Sequence, residues 1–182
     1  MVVQSEEELA EIFLQSDNLN YVFNQILRAY KERVYWLIRR MVLTHEDAND
    51  LTQEVFIKIW EKRDQFKGQS ALFTWIYRIA VNHTLGYLRK EKRKAFFSLS
   101  DPESKALSKL EADPYYSGDE MQLQFQKALL TLPEKQRLVF QMKYFDEMKY
   151  EEISDVLDTS VGSLKASYHH ATTKLKKFLL ND

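Results

Sequence analysis

Three stretches of this 182-residue chain carry residues whose types and spacing could do chemistry. The first is FKGQSALFTWIYRIAVNHTLGYLRKEKRK at 66–94, where an aromatic-rich segment runs into a nearly unbroken basic one. Aromatic rings stack on unpaired bases and cations meet phosphates, so this composition suits one nucleic-acid strand. A core helix with cations at the negative end of its dipole explains the same text more plainly. The second is a polar row, Asp47, Asp50, Gln53 and Glu54, at i, i+3, i+6 and i+7 on one helix face opposite Leu51, Val55 and Ile59. Such a row can meet arginines on a partner, although the dipole of a helix N-terminus alone suffices for Asp47 and Asp50. The third, YEEISDVLDTSVGSLK at 150–165, has the grammar of a helix-turn-helix. A short helix buries Ile153, Val156 and Leu157, and Asp158-Thr159-Ser160 turns the chain, with Thr159 or Ser160 as cap. The next helix buries Val161, Leu164 and Tyr168 and presents Ser160, Ser163, Lys165, Ala166 and His169, with Lys174 further along. Small polar and basic residues at that position suit the major groove, where Ser and Lys reach phosphates or base edges and Ala166 meets a thymine methyl.

Catalytic chemistry finds little footing. There is no glycine-rich phosphate loop, no metal-ligand cluster and no nucleophile beside a base. With zero cysteines there is no disulfide, thiolate zinc site or cysteine nucleophile, and a reducing cytoplasm fits best. Adjacent His169 and His170 lie about 100° apart on a helix and cannot share a metal. The expectation is a binding protein, not an enzyme, with no cofactor and no metal.

The elements that must position these residues are helical. Leu19, Val22, Phe23, Ile26, Leu27, Tyr30, Val34, Leu37, Ile38 and Met41 form a long apolar stripe at three- and four-residue spacing. Thr44 reads as the N-cap of the next helix, which carries Leu51, Val55, Phe56, Ile59 and Trp60 and is broken by Gly68. Ser70 is the expected cap of a third helix running through Leu72, Ile76, Ile79 and Ala80 to Leu88. Those 18 or so residues cannot place Phe73, Trp75, Ile76, Tyr77 and Ile79 on one face, so at least one aromatic must lie near the surface, with Phe73 and Ile76 assigned to the core. From Ser98 to Glu120 six acids face two lysines, with two of the three prolines and Gly118, which is linker composition; a turn of helix near 105–110 is weakly signalled. Periodicity returns at Met121, and Pro133 sits at the first position of a helix carrying Leu138, Val139 and Met142. The fold class is therefore all-α, two small helical domains joined by a flexible linker: 1–97, a tether at 98–119, and 120–182.

Composition agrees. Apolar residues at 45% support packed cores, four glycines and three prolines argue against a many-turned β fold, and no apolar run reaches the ~20 residues of a membrane span. Glu6, Glu7 and Glu8 are unlike the basic start of a signal peptide. The net charge is −1, but base gathers at Arg89–Lys94 and Lys165–Lys177 and acid at the N-terminus, 46–54 and 101–120. That distribution suits a protein that touches DNA twice and something basic elsewhere.

Three stretches in series, DANDLTQEVFIKIW at 47–60, FKGQSALFTWIYRIAVN at 66–82 and LPEKQRLVFQMKYFDEMKYEEISDVLDTSVGSLKASYHHATTKLKKFL at 132–179, resemble the extracytoplasmic-function sigma factors, small bacterial transcription initiation subunits. The resemblance implies that Asp47, Asp50, Gln53 and Glu54 dock on a basic coiled coil in the largest subunit of core RNA polymerase. It implies that the loop with Lys67, Gln69 and Ser70 holds a flipped base of the upstream-ten promoter element, with Trp75, Tyr77, Arg78 and Asn82 nearby and Arg89, Lys90 and Arg93 on duplex phosphates. The helix-turn-helix would read the upstream-thirty-five element. An anti-sigma factor, often membrane-bound, is the implied regulator of an otherwise cytoplasmic protein. The chain departs from the family in having Ser167 and His170 where arginines are frequent, so base-level readout does not transfer. The competing reading is a conventional helix-turn-helix regulator with an N-terminal dimerisation or sensing unit.

Magnitudes bound these roles. Opening a base step forfeits about 1.4 kcal/mol of stacking, and each base stacked on an aromatic returns roughly 1–3 kcal/mol. One or two captured bases balance one or two opened steps, not a transcription bubble. A 22-residue relaxed tether spans about 26 Å and an extended one about 73 Å, against about 50 Å between elements one and a half helical turns apart. The free protein can be compact; the DNA-bound one needs an extended tether.

Overall fold

The computed structural model describes residues 5–16, 18–42, 44–97, 102–113 and 120–180, in which every regular element is helical. An N-terminal helix not anticipated above, α1 (Glu6–Gln15), starts at a capping box. Ser5 accepts from the Glu8 N–H and the Glu8 side chain accepts from that of Ser5. The apolar stripe is one long helix, α2 (Leu19–Val42), with Val22, Ile26, Val34, Leu37 and Ile38 almost fully buried. As expected, Thr44 caps α3 (His45–Glu61), accepting from Asp47 N–H at 3.2 Å. That helix ends before Gly68 is reached: Lys62 closes it, a 3-10 turn follows at Arg63–Gln65, and Gly68 sits in the loop with φ +67°. Among the described glycines, only this one occupies the left-handed region, where glycine's freedom is needed.

The next helix, α4 (Leu72–Phe97), corrects two expectations. It extends past Leu88, and Ser70 is not its cap. Trp75 N–H bonds to the Ala71 carbonyl, and a carboxylate from another element, Glu6 of α1, accepts from Phe73 N–H at 3.1 Å. A charged acceptor brought by packing replaces the local hydroxyl.

The tether is not featureless either. A helix, α5 (Pro102–Glu111), occupies its centre, with Leu110 fully buried and Asp113 paired to the buried Arg39 of α2. Residues 98–101 and 114–119, the rest of the proposed linker, lie outside the described residues.

The second unit comprises α6 (Glu120–Leu130), α7 (Glu134–Tyr144), α8 (Tyr150–Leu157) and α9 (Val161–Leu180). Pro133 is the residue before α7, not its first; its carbonyl accepts from Arg137 N–H. The helix-turn-helix is α8, the turn and α9. Asp158 adopts φ +49° at the end of α8, and Ser160, of the two candidates, is the cap, its Oγ accepting from Ser163 N–H at 3.4 Å.

The two units are packed together. Leu138, Val139, Met142, Met148, Ile153, Val156 and Leu164 belong to the same apolar core as Ile26, Leu51 and Ile76, with α8 lying against α4. Polar contacts frame this junction. Arg40 pairs with Asp146 at 2.5 Å, Gln141 Nε2 donates to the Arg40 carbonyl at 3.0 Å, and Lys92 pairs with Glu134 at 2.9 Å. A smaller second core joins Ala128, Leu129, Leu132, Phe140, Ala171 and Leu175 beneath α9.

Candidate nucleic-acid interface

The loop after α3 and the first half of α4 together enclose a cavity of about 640 Å³. Lys67, Gln69 and Ser70 line it from the loop, and Trp75, Arg78 and Asn82 line it from α4, where spacings of three and four put them on one face. Lys58 and Lys62 close one side, so four cations surround the space. The volume lies in the range of small-ligand sites, and a nucleotide fits its chemistry. Trp75 offers a ring face, Asn82 and Gln69 offer paired donor and acceptor groups for a base edge, and the cations suit a phosphate. Trp75 is half-buried and held from behind by Phe13 and Phe66, at centroid distances of 5.8 and 5.4 Å.

Tyr77 must be removed from this group. It is fully buried on the opposite side of α4, its ring tilted against Phe73 at 4.3 Å between centroids. Two residues along a helix turn about 200°, so Trp75 and Tyr77 cannot share a face. Tyr77 instead lies at the junction of the units: burial raises its pKa, Asp146 raises it further, and Arg33 and Arg40 oppose them. Phe73 and Ile76 are core residues, as expected.

Arg89, Lys90 and Arg93 are exposed further along α4 and do not line the cavity. Arg89 lies three turns beyond Arg78, about 16 Å along the axis. The run contains its own compensation, since Lys94 pairs with Glu91 at 2.7 Å.

On α3 the four polar residues divide. Asp50, Gln53 and Glu54 are exposed, while Asp47 is built into the structure. Its carboxylate accepts from Thr44 Oγ1 at 2.5 Å and Tyr87 hydroxyl at 2.8 Å, with Lys109 at 3.7 Å. Burial pushes its pKa up, but these hydrogen bonds and the lysine outweigh that and hold it below the usual value. Glu54 meets His83 of α4 at 2.6 Å. Sequence reading missed Ile57, which is 56% exposed and follows Asp50 and Glu54 on one ridge at i+7 and i+3. The signal was available: Ile57 stands outside the stripe of Leu51, Val55 and Ile59.

In the helix-turn-helix, the cap Ser160 and, on α9, Ser163, Lys165, Ala166, His169 and Lys174 are all exposed, while Leu164, Ala171 and Leu175 anchor the other side of the helix. Lys165 leans toward the ring of Tyr150, with Nζ 5.7 Å from its centroid, and Lys174 donates to Gln136 at 3.1 Å.

Likeness to known proteins gives the family. Residues 26–94 match the family model Sigma-70 region 2, and residues 122–175 match Sigma-70, region 4. The chain is a sigma factor of the extracytoplasmic-function (ECF) class. It is 33% identical to the ECF RNA polymerase sigma factor SigW of Bacillus subtilis over 86% of this chain and 88% of that one. It is 30% identical to the ECF RNA polymerase sigma-E factor of Escherichia coli over 82% of each. Two solved structures share the fold: the sigma factor RpoE of Bartonella quintana in complex with the anti-sigma factor NepR (TM-score 0.72, 24% identity, 88% of this chain and 98% of that one), and CnrH in complex with the cytosolic domain of CnrY (0.69, 17%, 98% and 99%). This sigma factor is thus a promoter-directing initiation factor, which favours that reading over the conventional regulator. No helix among the described residues is long and apolar enough to cross a membrane.

Proposed function

We propose that the α3–α4 cavity captures an unpaired base of the upstream-ten element. The observation that carries this reading is the convergence of Lys67, Gln69 and Ser70 from a loop with Trp75, Arg78 and Asn82 from a helix on one nucleotide-sized space. Trp75 stacks on the base, Gln69 and Asn82 read its edge, and Lys67 and Arg78 take the flanking phosphates. Arg89, Lys90 and Arg93 then lie along the adjoining duplex. On α9, Ser160, Ser163, Lys165, Ala166 and His169 face the upstream-thirty-five element, and Lys174 lies near its phosphates. Region 2 extends to Phe97, 98–119 connects, and region 4 begins at Glu120. The factor itself catalyses nothing; polymerase supplies the chemistry.

Core polymerase docks on the α3 ridge of Asp50, Gln53, Glu54 and Ile57, three polar groups around one exposed apolar anchor. Asp47 supports this helix through its ties to Thr44 and Tyr87. An anti-sigma protein is the proposed regulator, and the cytoplasm the compartment. Asp155 of α8 stands at the cavity wall among its cations. Strand capture therefore goes with separation of the two units.

The experiment is run-off transcription with reconstituted core polymerase, with start sites mapped and the upstream-ten segment probed for unpaired bases. Gln69→Ala and Asn82→Ala should relax base preference there while leaving core association intact. Wild-type protein that binds an operator tightly alone, and yields no transcript with core from any promoter tried, refutes the reading.

A further inference from the structure

Part of what would read the base, Gln69 with its neighbours Lys67 and Ser70, sits on a loop, and a loop reads sequence only if something holds it still. Here that something is α1. Its Glu6 carboxylate accepts from Phe73 N–H at 3.1 Å, capping the start of α4, where the preceding Ala71 has no side-chain acceptor to offer. Its Phe13 is 2% exposed and forms a three-ring cluster with Phe66, at 5.7 Å, and Trp75, at 5.8 Å, so the loop's first residue and the cavity's ring rest on one side chain. Leu14 lies against Gly68: a Cβ placed on that glycine would meet Leu14 Cδ1 at 3.4 Å. Arg63, in the turn before the loop, donates from Nε to the Phe13 carbonyl at 3.2 Å and from Nη2 to that of Ser16 at 3.4 Å, gripping the C-terminal end of α1.

Both ends of the 66–70 loop are thus tied to α1, yet no residue of α1 lines the cavity. The match to Sigma-70 region 2 begins only at residue 26, outside α1. We infer that α1 is the positioning element of the base-reading loop, with Glu6 and Phe13 setting where Lys67, Gln69 and Ser70 point. The inference rests on the proposed base capture.

The contacts also say what kind of effect to expect. Glu6 holds one backbone N–H, so its loss frees the start of α4 and the loop without removing a group that touches DNA. Phe13 holds the Trp75 ring and Phe66 together. Both substitutions should blur discrimination among bases more than they weaken overall binding. Core association, which the proposed function places on the far ridge of α3, should not change.

The test uses holoenzyme reconstituted with core polymerase and a single-stranded DNA library randomised across the upstream-ten segment, with bound and unbound fractions sequenced. Wild type, Glu6→Ala, Glu6→Gln and Phe13→Ala are compared, with circular dichroism and core-binding titrations as controls. Glu6→Ala should flatten base preference at one or two adjacent positions by about fivefold, the size of a lost helix cap, with core affinity within twofold of wild type. Glu6→Gln, which keeps the acceptor and loses the charge, should restore most of the preference. Phe13→Ala should flatten the same positions. Where Phe13→Ala fails to fold, the Glu6 pair decides. An unchanged preference in Glu6→Ala overturns the inference, and so does a uniform loss of binding at every position, which is the mark of general destabilisation. If Gln69→Ala and Asn82→Ala also leave the profile untouched, the failure belongs to base capture and not to α1.

Discussion

Removing the carboxylate of Asp146 should open the molecule without unfolding it. Asp146 belongs to the turn before α8, Arg40 to α2, and their side chains are 9% and 12% exposed, so the pair spans the junction of the two units almost out of water. At 4 Å and an effective dielectric of 20 such charges attract by about 4 kcal/mol, much of it offset by desolvation. Deleting one partner of a buried pair typically costs 3–5 kcal/mol, because the other is stranded. Arg40 also sits over the Phe145 ring at 5.0 Å, and its guanidinium regains water once the units part, so about 2–3 kcal/mol is a better figure here. The ratio of undocked to docked molecules should therefore rise about 30- to 150-fold. Because the chain has no cysteine, dyes can be placed uniquely at Ala29→Cys and Lys176→Cys, both exposed, and the distance distribution read by single-molecule energy transfer. Asp146→Ala should populate a long-distance state while helicity is retained. Arg40→Met with Asp146→Leu, which leaves no stranded charge, should return most molecules to the short distance. A distance distribution unchanged by Asp146→Ala refutes the reasoning, and so does a double variant as open as the single.

Three further predictions follow the same contacts. Burial raises the Asp146 pKa above its ordinary value of 3.8, with Arg40 and Arg33 opposing, so the docked form holds its proton more firmly than the open form. Docking should tighten as pH falls toward 3.8, because the neutral carboxyl keeps an oxygen for the Arg40 hydrogen bond that alanine lacks, and weaken as pH rises through the docked-state pKa; Asp146→Asn, which also keeps an acceptor, should remove that component of the energy-transfer titration. Asp50→Lys with Glu54→Lys should abolish core association in a pull-down while preserving the circular dichroism spectrum, and unchanged association would remove α3 as the dock. Trp75→Ala should weaken capture of an unpaired strand by roughly 1–3 kcal/mol in holoenzyme titrations, and should also lower the melting temperature, because the ring packs on Phe13 and Phe66.

Much of this was legible in the sequence because helical periodicity and capping are local. Thr44 as cap, the core placement of Phe73 and Ile76, and the α8-turn-α9 hairpin all follow from spacings of a few residues. So does the cavity, where Trp75, Arg78 and Asn82 fall on one face of α4 at i, i+3 and i+7. Tyr77 was misplaced by proximity in sequence, although its offset of two from Trp75 already put it across the helix. The cap of α4 was invisible for another reason: Glu6 is far from Phe73 in the chain, and only packing brings the carboxylate to the N–H. A local rule chose Ser70, the nearest hydroxyl. Helix α1 itself could have been found, since Ser5 and Glu8 frame a capping box ahead of Leu9 and Phe13. Within the tether, acidic composition outweighed the signal of Leu107 and Leu110 three apart.

The core that runs without a break from region 2 into α7 and α8 has a consequence for gene expression. If only undocked molecules capture a strand, every measured affinity carries the fraction that is open. A docking free energy of about 2 kcal/mol leaves about 3% open and weakens apparent binding about thirtyfold. Met142, Ile153 and Val156, buried in that core, then act as a volume control on all promoters together. Substitutions there would scale the whole set of transcripts up or down without reordering it, whereas changes at Gln69 or Ser163 would reorder it.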